Sequence, residues 1–126
     1  MPLVRIDLAA GKSAQFLATV GDVIYEAMLQ ALKVPENDRF MILNEHLGDH
    51  LSIDERYLDI ARTSECIIIS VTLNEGRTLE AKQAFYRAVA DGLYERLHHP
   101  KENVLISLTE VKKENWSFGN GEAQYA

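Results

Sequence analysis

Sliding the chain along itself by 65 residues aligns its two halves without a gap. An internal repeat of this kind constrains the architecture before any other feature does, because both halves should adopt one supersecondary unit. Leu8 falls on Leu73, Gly11 on Gly76, Leu32 on Leu97, Pro35 on Pro100, Leu43 on Leu108 and Glu45 on Glu110. Similar residues fill the spaces between, with Lys12 on Arg77, Ser13 on Thr78, Val4 on Ile69, Ile6 on Val71 and Met41 on Ile106. The 126 residues therefore read as one domain, 1–126, built from copies at 2–46 and 66–111, a connector at 47–65 and a tail rich in aromatic residues and glycine at 112–126.

Each copy opens on a strand pattern, residues 2–8 and 66–73, the second almost continuously apolar as a strand buried on both faces would be. A glycine-cation-hydroxyl turn follows, Gly11-Lys12-Ser13 and Gly76-Arg77-Thr78, in which Ser13 and Thr78 are natural helix N-caps. Apolar residues then recur at helical spacing: Phe16, Val20, Val23, Ile24, Ala27, Met28, Ala31 and Leu32 in the first copy, Phe85, Ala88, Val89, Leu93 and Leu97 in the second. Pro35 and Pro100 stop the helices, and 40–45 and 104–111 read as closing strands. Two β-α-β units result, each with parallel strands and a right-handed crossover, joined into a four-stranded α/β (α+β) sheet with both helices on one face. The other face, expected to carry Leu3, Arg5, Asp7, Met41 and Leu43, is too apolar to remain wet and calls for a partner subunit.

Thirteen Lys and Arg against nineteen Asp and Glu leave a net charge of −6, which argues against capture of nucleic acid or of an anionic membrane. An anionic ligand has to be held by local cations. The single cysteine, Cys66, fits a reducing, cytoplasmic setting and reads as core, not nucleophile. No apolar run reaches the length of about 18 residues that reads as a membrane span. His46 and His50 have i, i+4 spacing, but Gly48 intervenes and no third ligand follows, so no metal is expected. Gly119-Asn120-Gly121 lacks the strand-to-helix context of a dinucleotide loop.

Pro2 directly follows the initiator Met, and removal of Met exposes a secondary amine able to act as a general base or acid near neutral pH. Its counterpart in the second copy, Ile67, lies inside the chain, so one copy alone can offer that amine. Pro2 at the head of a β-α-β unit, the Gly-Lys-Ser and Gly-Arg-Thr turns, Pro35 before the second strand, the Asn-Glu and Thr-Glu strand ends and the aromatic-glycine tail together resemble the tautomerase superfamily. The fused length, the segment ending Asp38-Arg39-Phe40, and the tail Trp116-Ser117-Phe118-Gly119 look most like its malonate semialdehyde decarboxylase branch.

The resemblance implies a tautomerase/MIF-like fold, a homotrimer, no cofactor, a small carboxylate substrate and catalysis by the amino-terminal proline. Carried over by position, Pro2 is the catalytic amine, Asp38 the acidic residue that positions water or substrate, and Arg77 a cation for the substrate carboxylate. Trp116, with Phe118 beside it, falls where 4-oxalocrotonate tautomerase has a hydrophobic wall. Two positions depart from the pattern: Glu75 stands where the decarboxylase branch has another arginine, and Phe40 where 4-oxalocrotonate tautomerase has one. Arg39 and Arg62 are further candidate substrate contacts, whereas Lys12 is a weaker candidate for the anion site. Enol-keto tautomerisation of a small oxo acid is the leading expectation, decarboxylation or hydration of a 3-oxo acid the alternative, and a non-catalytic trimeric binding protein the second alternative.

Overall fold

The computed structural model describes residues 2–126. The chain runs β1 (Leu3–Ala9), α1 (Ala14–Ala31), β2 (Phe40–His46), β3 (Ile67–Asn74), α2 (Leu79–Leu97) and β4 (Val104–Val111), with two 3-10 turns in the connector and one on either side of β4. The strands form one sheet in the order β2-β1-β3-β4. Within each copy the strands are parallel, and the two copies meet through the antiparallel pair β1 and β3.

The repeat persists in the backbone hydrogen bonds. Ser13 caps α1 by accepting from the Phe16 N–H at 3.0 Å, and Thr78 caps α2 from the Ala81 N–H at 3.1 Å. Both helices close on a left-handed residue, Lys33 at φ 56° and His98 at φ 54°. Behind these residues the N–H of Val34 reaches the Met28 carbonyl at 3.3 Å and that of His99 the Leu93 carbonyl at 3.2 Å. That is the bond pattern of a Schellman closure, which satisfies carbonyls the helix end would otherwise leave open. The Ala10 N–H binds the His46 carbonyl as the Glu75 N–H binds that of Val111, tying each turn to the end of its copy's second strand.

Alternation along the central strands builds the core. Val4, Ile6 and Leu8 from β1 and Ile67, Ile69, Val71 and Leu73 from β3 point to the helical side, where they meet Val20, Ile24, Met28, Phe85, Val89 and Leu93. The helices also pack on each other, and a Cβ added to Gly92 of α2 would lie 2.7 Å from the Val23 Cγ1 of α1. One expectation is corrected here. Met41 and Leu43 belong to the helical side, because the register sets them opposite Val4 and Ile6, and they pack against the core. The open face carries Phe40 and Ile42 instead. Phe40 is 48 % exposed, Ile42 37 % and Leu105 of β4 39 %, so exposed apolar side chains stand on the open face at both edge strands. Asp7 and His46 share it, with Nε2 and Oδ1 2.7 Å apart. Among the described residues no helix is long and apolar enough to cross a membrane.

Candidate active site

Strand register collects the candidate residues at one end of the sheet. Leu3 lies between Phe40 and Thr72. One step toward the amino terminus, Pro2 therefore falls beside the entry to β2, which carries Asp38 and Arg39, and beside the exit of β3, which carries Leu73 and Asn74. Pro2 is buried there. The parallel pairing of β3 with β4 sets Asn74 opposite Val111, so the tail leaves the sheet at the same end.

The residues on either side of Asp38 are tied to α1. Asn37 adopts φ 63° and its N–H donates to the Tyr25 hydroxyl at 3.3 Å. Arg39 donates to Asp22 at 2.9 Å and lays its guanidinium over Tyr25, 5.0 Å from the ring centroid. Both neighbours are thus fastened to α1, and one carboxylate oxygen of Asp38 is buried. Arg39 itself serves as this clamp, its guanidinium engaged by Asp22 and Tyr25 of α1. Gly21 of α1 makes room for it, since a Cβ there would sit 3.1 Å from Arg39 Nη2.

Arg77 is half-buried and held by neutral partners. Its Nε donates to the Leu32 carbonyl at 3.2 Å and its Nη1 to the Asn74 carbonyl at 3.1 Å. Carbonyls orient a guanidinium without neutralising it, and among the described residues Arg77 makes no ion pair. Its charge is felt at Glu110, whose carboxyl is held below the ordinary carboxylate range first by a hydrogen bond from Lys82 and to a lesser degree by Arg77. Such a cation is suited to a substrate carboxylate. Glu75, in the preceding turn, is exposed.

The tail returns over this end. The indole Nε1 of Trp116 donates to Asn74 Oδ1 at 2.8 Å. Trp116 stacks on Phe118 with centroids 5.5 Å apart and planes 20° from parallel, and Tyr125 meets Phe118 edge-on at 4.8 Å. Gln124 closes the loop by accepting from the Phe118 N–H and donating to the Gly119 carbonyl.

Arg62 lies elsewhere. It precedes β3, at the opposite end of the sheet within one protomer, and donates to the carbonyls of Tyr57 and Ile60 at 2.8 and 3.4 Å. There it lines a cavity of about 180 Å³ floored by Ile68 and Leu105. Lys12 occupies that end too, paired with Glu65. Cys66 is buried in the adjoining strand entry, and desolvation pushes its thiol up, the wrong direction for a nucleophile.

The structure thus brings Pro2, Asp38, Arg77, Trp116 and Phe118 to one end and leaves Arg62 at the other. Asn74, Tyr125 and Gln124 are participants that the pattern reading missed. A donor-only indole at a half-buried position demands an acceptor, and that requirement was the one available signal for Asn74.

Two family models, each of a tautomerase enzyme, match residues 2–58 and 38–119, the first match beginning at Pro2. The probable tautomerase YusQ of Bacillus subtilis (strain 168) is 39 % identical over 98 % of both chains, and the probable tautomerase YrdN of the same strain is 36 % identical over 99 % of this chain and 96 % of its own. Among solved structures, FG41 malonate semialdehyde decarboxylase inhibited by 3-bromopropiolate superposes with a TM-score of 0.90 at 33 % identity, covering 98 % of this chain and 93 % of its own. A fused 4-OT described as a wild-type symmetric trimer shares the fold at a TM-score of 0.80 and 19 % identity, covering 98 % and 97 %. With family matches that start at Pro2 and extend through the tail's first aromatics, the chain belongs to the tautomerase family.

Proposed function

We propose that this enzyme moves a proton between carbon and oxygen of a small oxo carboxylic acid, using the Pro2 amine freed by removal of Met1 and no cofactor. The observation that carries the reading is the convergence of a buried Pro2, the Asp38 carboxylate and an Arg77 held by neutral carbonyls beneath an aromatic wall. Arg77 binds the substrate carboxylate. Neutral Pro2 accepts the enol hydroxyl proton and returns a proton to the neighbouring carbon, leaving the ketone. Asp38 orients the hydroxyl or a water, and Trp116 with Phe118 keeps bulk solvent out.

Decarboxylation of a 3-oxo acid is the second reading, favoured by the overlay on malonate semialdehyde decarboxylase. In that reaction the bond to the carboxylate carbon breaks, its electron pair enters an enolate, carbon dioxide leaves and protonated Pro2 delivers the proton to carbon. The amine's charge separates the two. Arg77 and burial favour the neutral form; a nearby Asp38 or Glu75 favours the cation. We further propose a homotrimer, as in the fused 4-OT, which would cover the apolar face bearing Phe40, Ile42 and Leu105.

The test compares Pro2→Ala with the wild type on phenylenolpyruvate ketonisation and malonate semialdehyde decarboxylation, after intact mass has established that Met1 is gone. A fall in kcat/KM of about 10²-fold or more on one substrate supports the corresponding reading. Indifference on both returns the chain to a binding role. Titration of the Pro2 nitrogen by NMR then chooses between base and acid: a value below the ordinary α-amino range of about 7.7–8.0 fits tautomerisation, and one above about 8.5 rejects it.

A further inference from the structure

We infer that Asn74 is a positioning residue for this site, one rigid anchor from which both the aromatic wall and the carboxylate-binding arginine are set. The inference rests on the reading of the Pro2 site given above. Trp116 belongs to a tail whose neighbouring residues are exposed, and its side chain reaches the body of the protein through a hydrogen bond spanning 42 positions of sequence. An indole N–H only donates, so the atom 2.8 Å away has to be the amide oxygen of Asn74. The same residue's backbone carbonyl takes the Arg77 Nη1. Asn74 can hold both because it does not belong to the tail or the turn: it is the last residue of β3, paired with Val111 of β4. Groups fixed to a strand keep their geometry better than groups fixed to a loop.

Two consequences follow from the chemistry of the amide. With the oxygen committed to the indole, the amide nitrogen presents donors on its other side. Replacement by a carboxylate would preserve the indole contact but bring a negative charge to the cation meant for the substrate. Replacement by an apolar side chain of similar size would release the wall while leaving the backbone carbonyl to Arg77.

Trp116 is the sole tryptophan, so its indole resonance and fluorescence report this contact without interference. In Asn74→Leu, the indole N–H resonance should shift and exchange faster with solvent, and KM for phenylenolpyruvate or malonate semialdehyde, whichever the wild type turns over, should rise about three- to tenfold with kcat less affected. In a Trp116→Phe background the same substitution should leave KM unchanged, because the contact it breaks is already absent. Asn74→Asp should keep the indole resonance and still raise KM. An unshifted indole in Asn74→Leu, or an undiminished KM cost in the Trp116→Phe background, overturns the inference. Should Asn74→Leu fail to fold by circular dichroism, Asn74→Ala carries the same comparison. If the wild type turns over neither substrate, the Pro2 reading falls and the indole resonance alone decides the role of Asn74.

Discussion

The turns that follow β1 and β3 have one backbone and two fates. Gly11 and Gly76 adopt φ 110° and 117°, Ser13 and Thr78 cap the next helix alike, and a cation stands between glycine and cap in each. Because β1 and β3 are antiparallel, the two turns nevertheless lie at opposite ends of the sheet. At one end Lys12 is paired with the carboxylate of Glu65; at the other Arg77 rests on two carbonyls and keeps its charge available. Pro2 stands at the second end. The same turn thus occurs twice, and on the function proposed above the copy beside Pro2 is the one that meets substrate.

The sharpest way to break this comparison is to remove each cation in turn. Arg77→Ala should raise KM for a carboxylate substrate by about one to two orders of magnitude, the loss of a charge-assisted contact of about 1.5–3 kcal/mol. Lys12→Ala removes a partly exposed pair of little energy and should alter kcat/KM by less than about twofold. Steady-state kinetics on both variants check this, and the reverse ranking would move the anion site to the other end of the sheet.

The helices offer a second asymmetry. Gly92 occupies the position in α2 that Ala27 occupies in α1, and Val23 and Ala88 are likewise equivalent. All four line the groove where the helices meet, yet the crossing is lopsided: the Val23 side chain fills the space that a Gly92 Cβ would need. Glycine to alanine inside a helix ordinarily stabilises by about 1 kcal/mol. Here a 2.7 Å approach to a stiff β-branched side chain reverses the sign, and Gly92→Ala should cost about 1–3 kcal/mol by urea denaturation. Adding Val23→Ala should recover part of that cost. Additive losses would mean that the two positions do not share one space.

Much of this architecture was legible in the sequence because repeat, capping hydroxyls and helical spacing are local signals. The strands fall within one residue of their expected bounds. The faces of β2 were not legible: Phe40, Met41, Ile42 and Leu43 are all apolar, so no alternation marks which side each takes until pairing with β1 fixes the register. The left-handed closures at Lys33 and His98 were hidden too, since neither is the glycine that usually marks such a closure. At the site, Pro2, Asp38, Arg77 and Trp116 were singled out by residue type and by resemblance. Asn74 was not, because its role depends on a tail that folds back over the strand end, and no local pattern encodes that return. Arg39 and Arg62 show the converse: Arg39 is committed to Asp22 and Tyr25, and Arg62, held by carbonyls as Arg77 is, stands at the other end of the sheet from Pro2.

The smallest expected effect concerns the ends of the second strands. Glu45 and Glu110 are equivalent, but the helix residue over Glu110 is Lys82, 2.7 Å from its carboxylate, whereas the equivalent helix position in the first copy is Leu17, packed against the core. Lys82 holds the Glu110 carboxyl below its ordinary range in the folded state. A carboxyl depressed by folding binds its proton more readily in the unfolded chain, so its contribution to stability is fully present above the unfolded value and disappears as pH falls through the folded one. Part of the acid sensitivity of this protein should therefore belong to the second copy. Lys82→Leu, which gives α2 the residue that α1 already has, should lower Tm slightly near neutrality and approach the wild type as pH falls and Glu110 takes up its proton. Tm measured from neutral pH down to about pH 3, below the ordinary glutamate range, checks this. Parallel curves would show that the ion pair contributes nothing pH-dependent and that the two copies are alike in this respect.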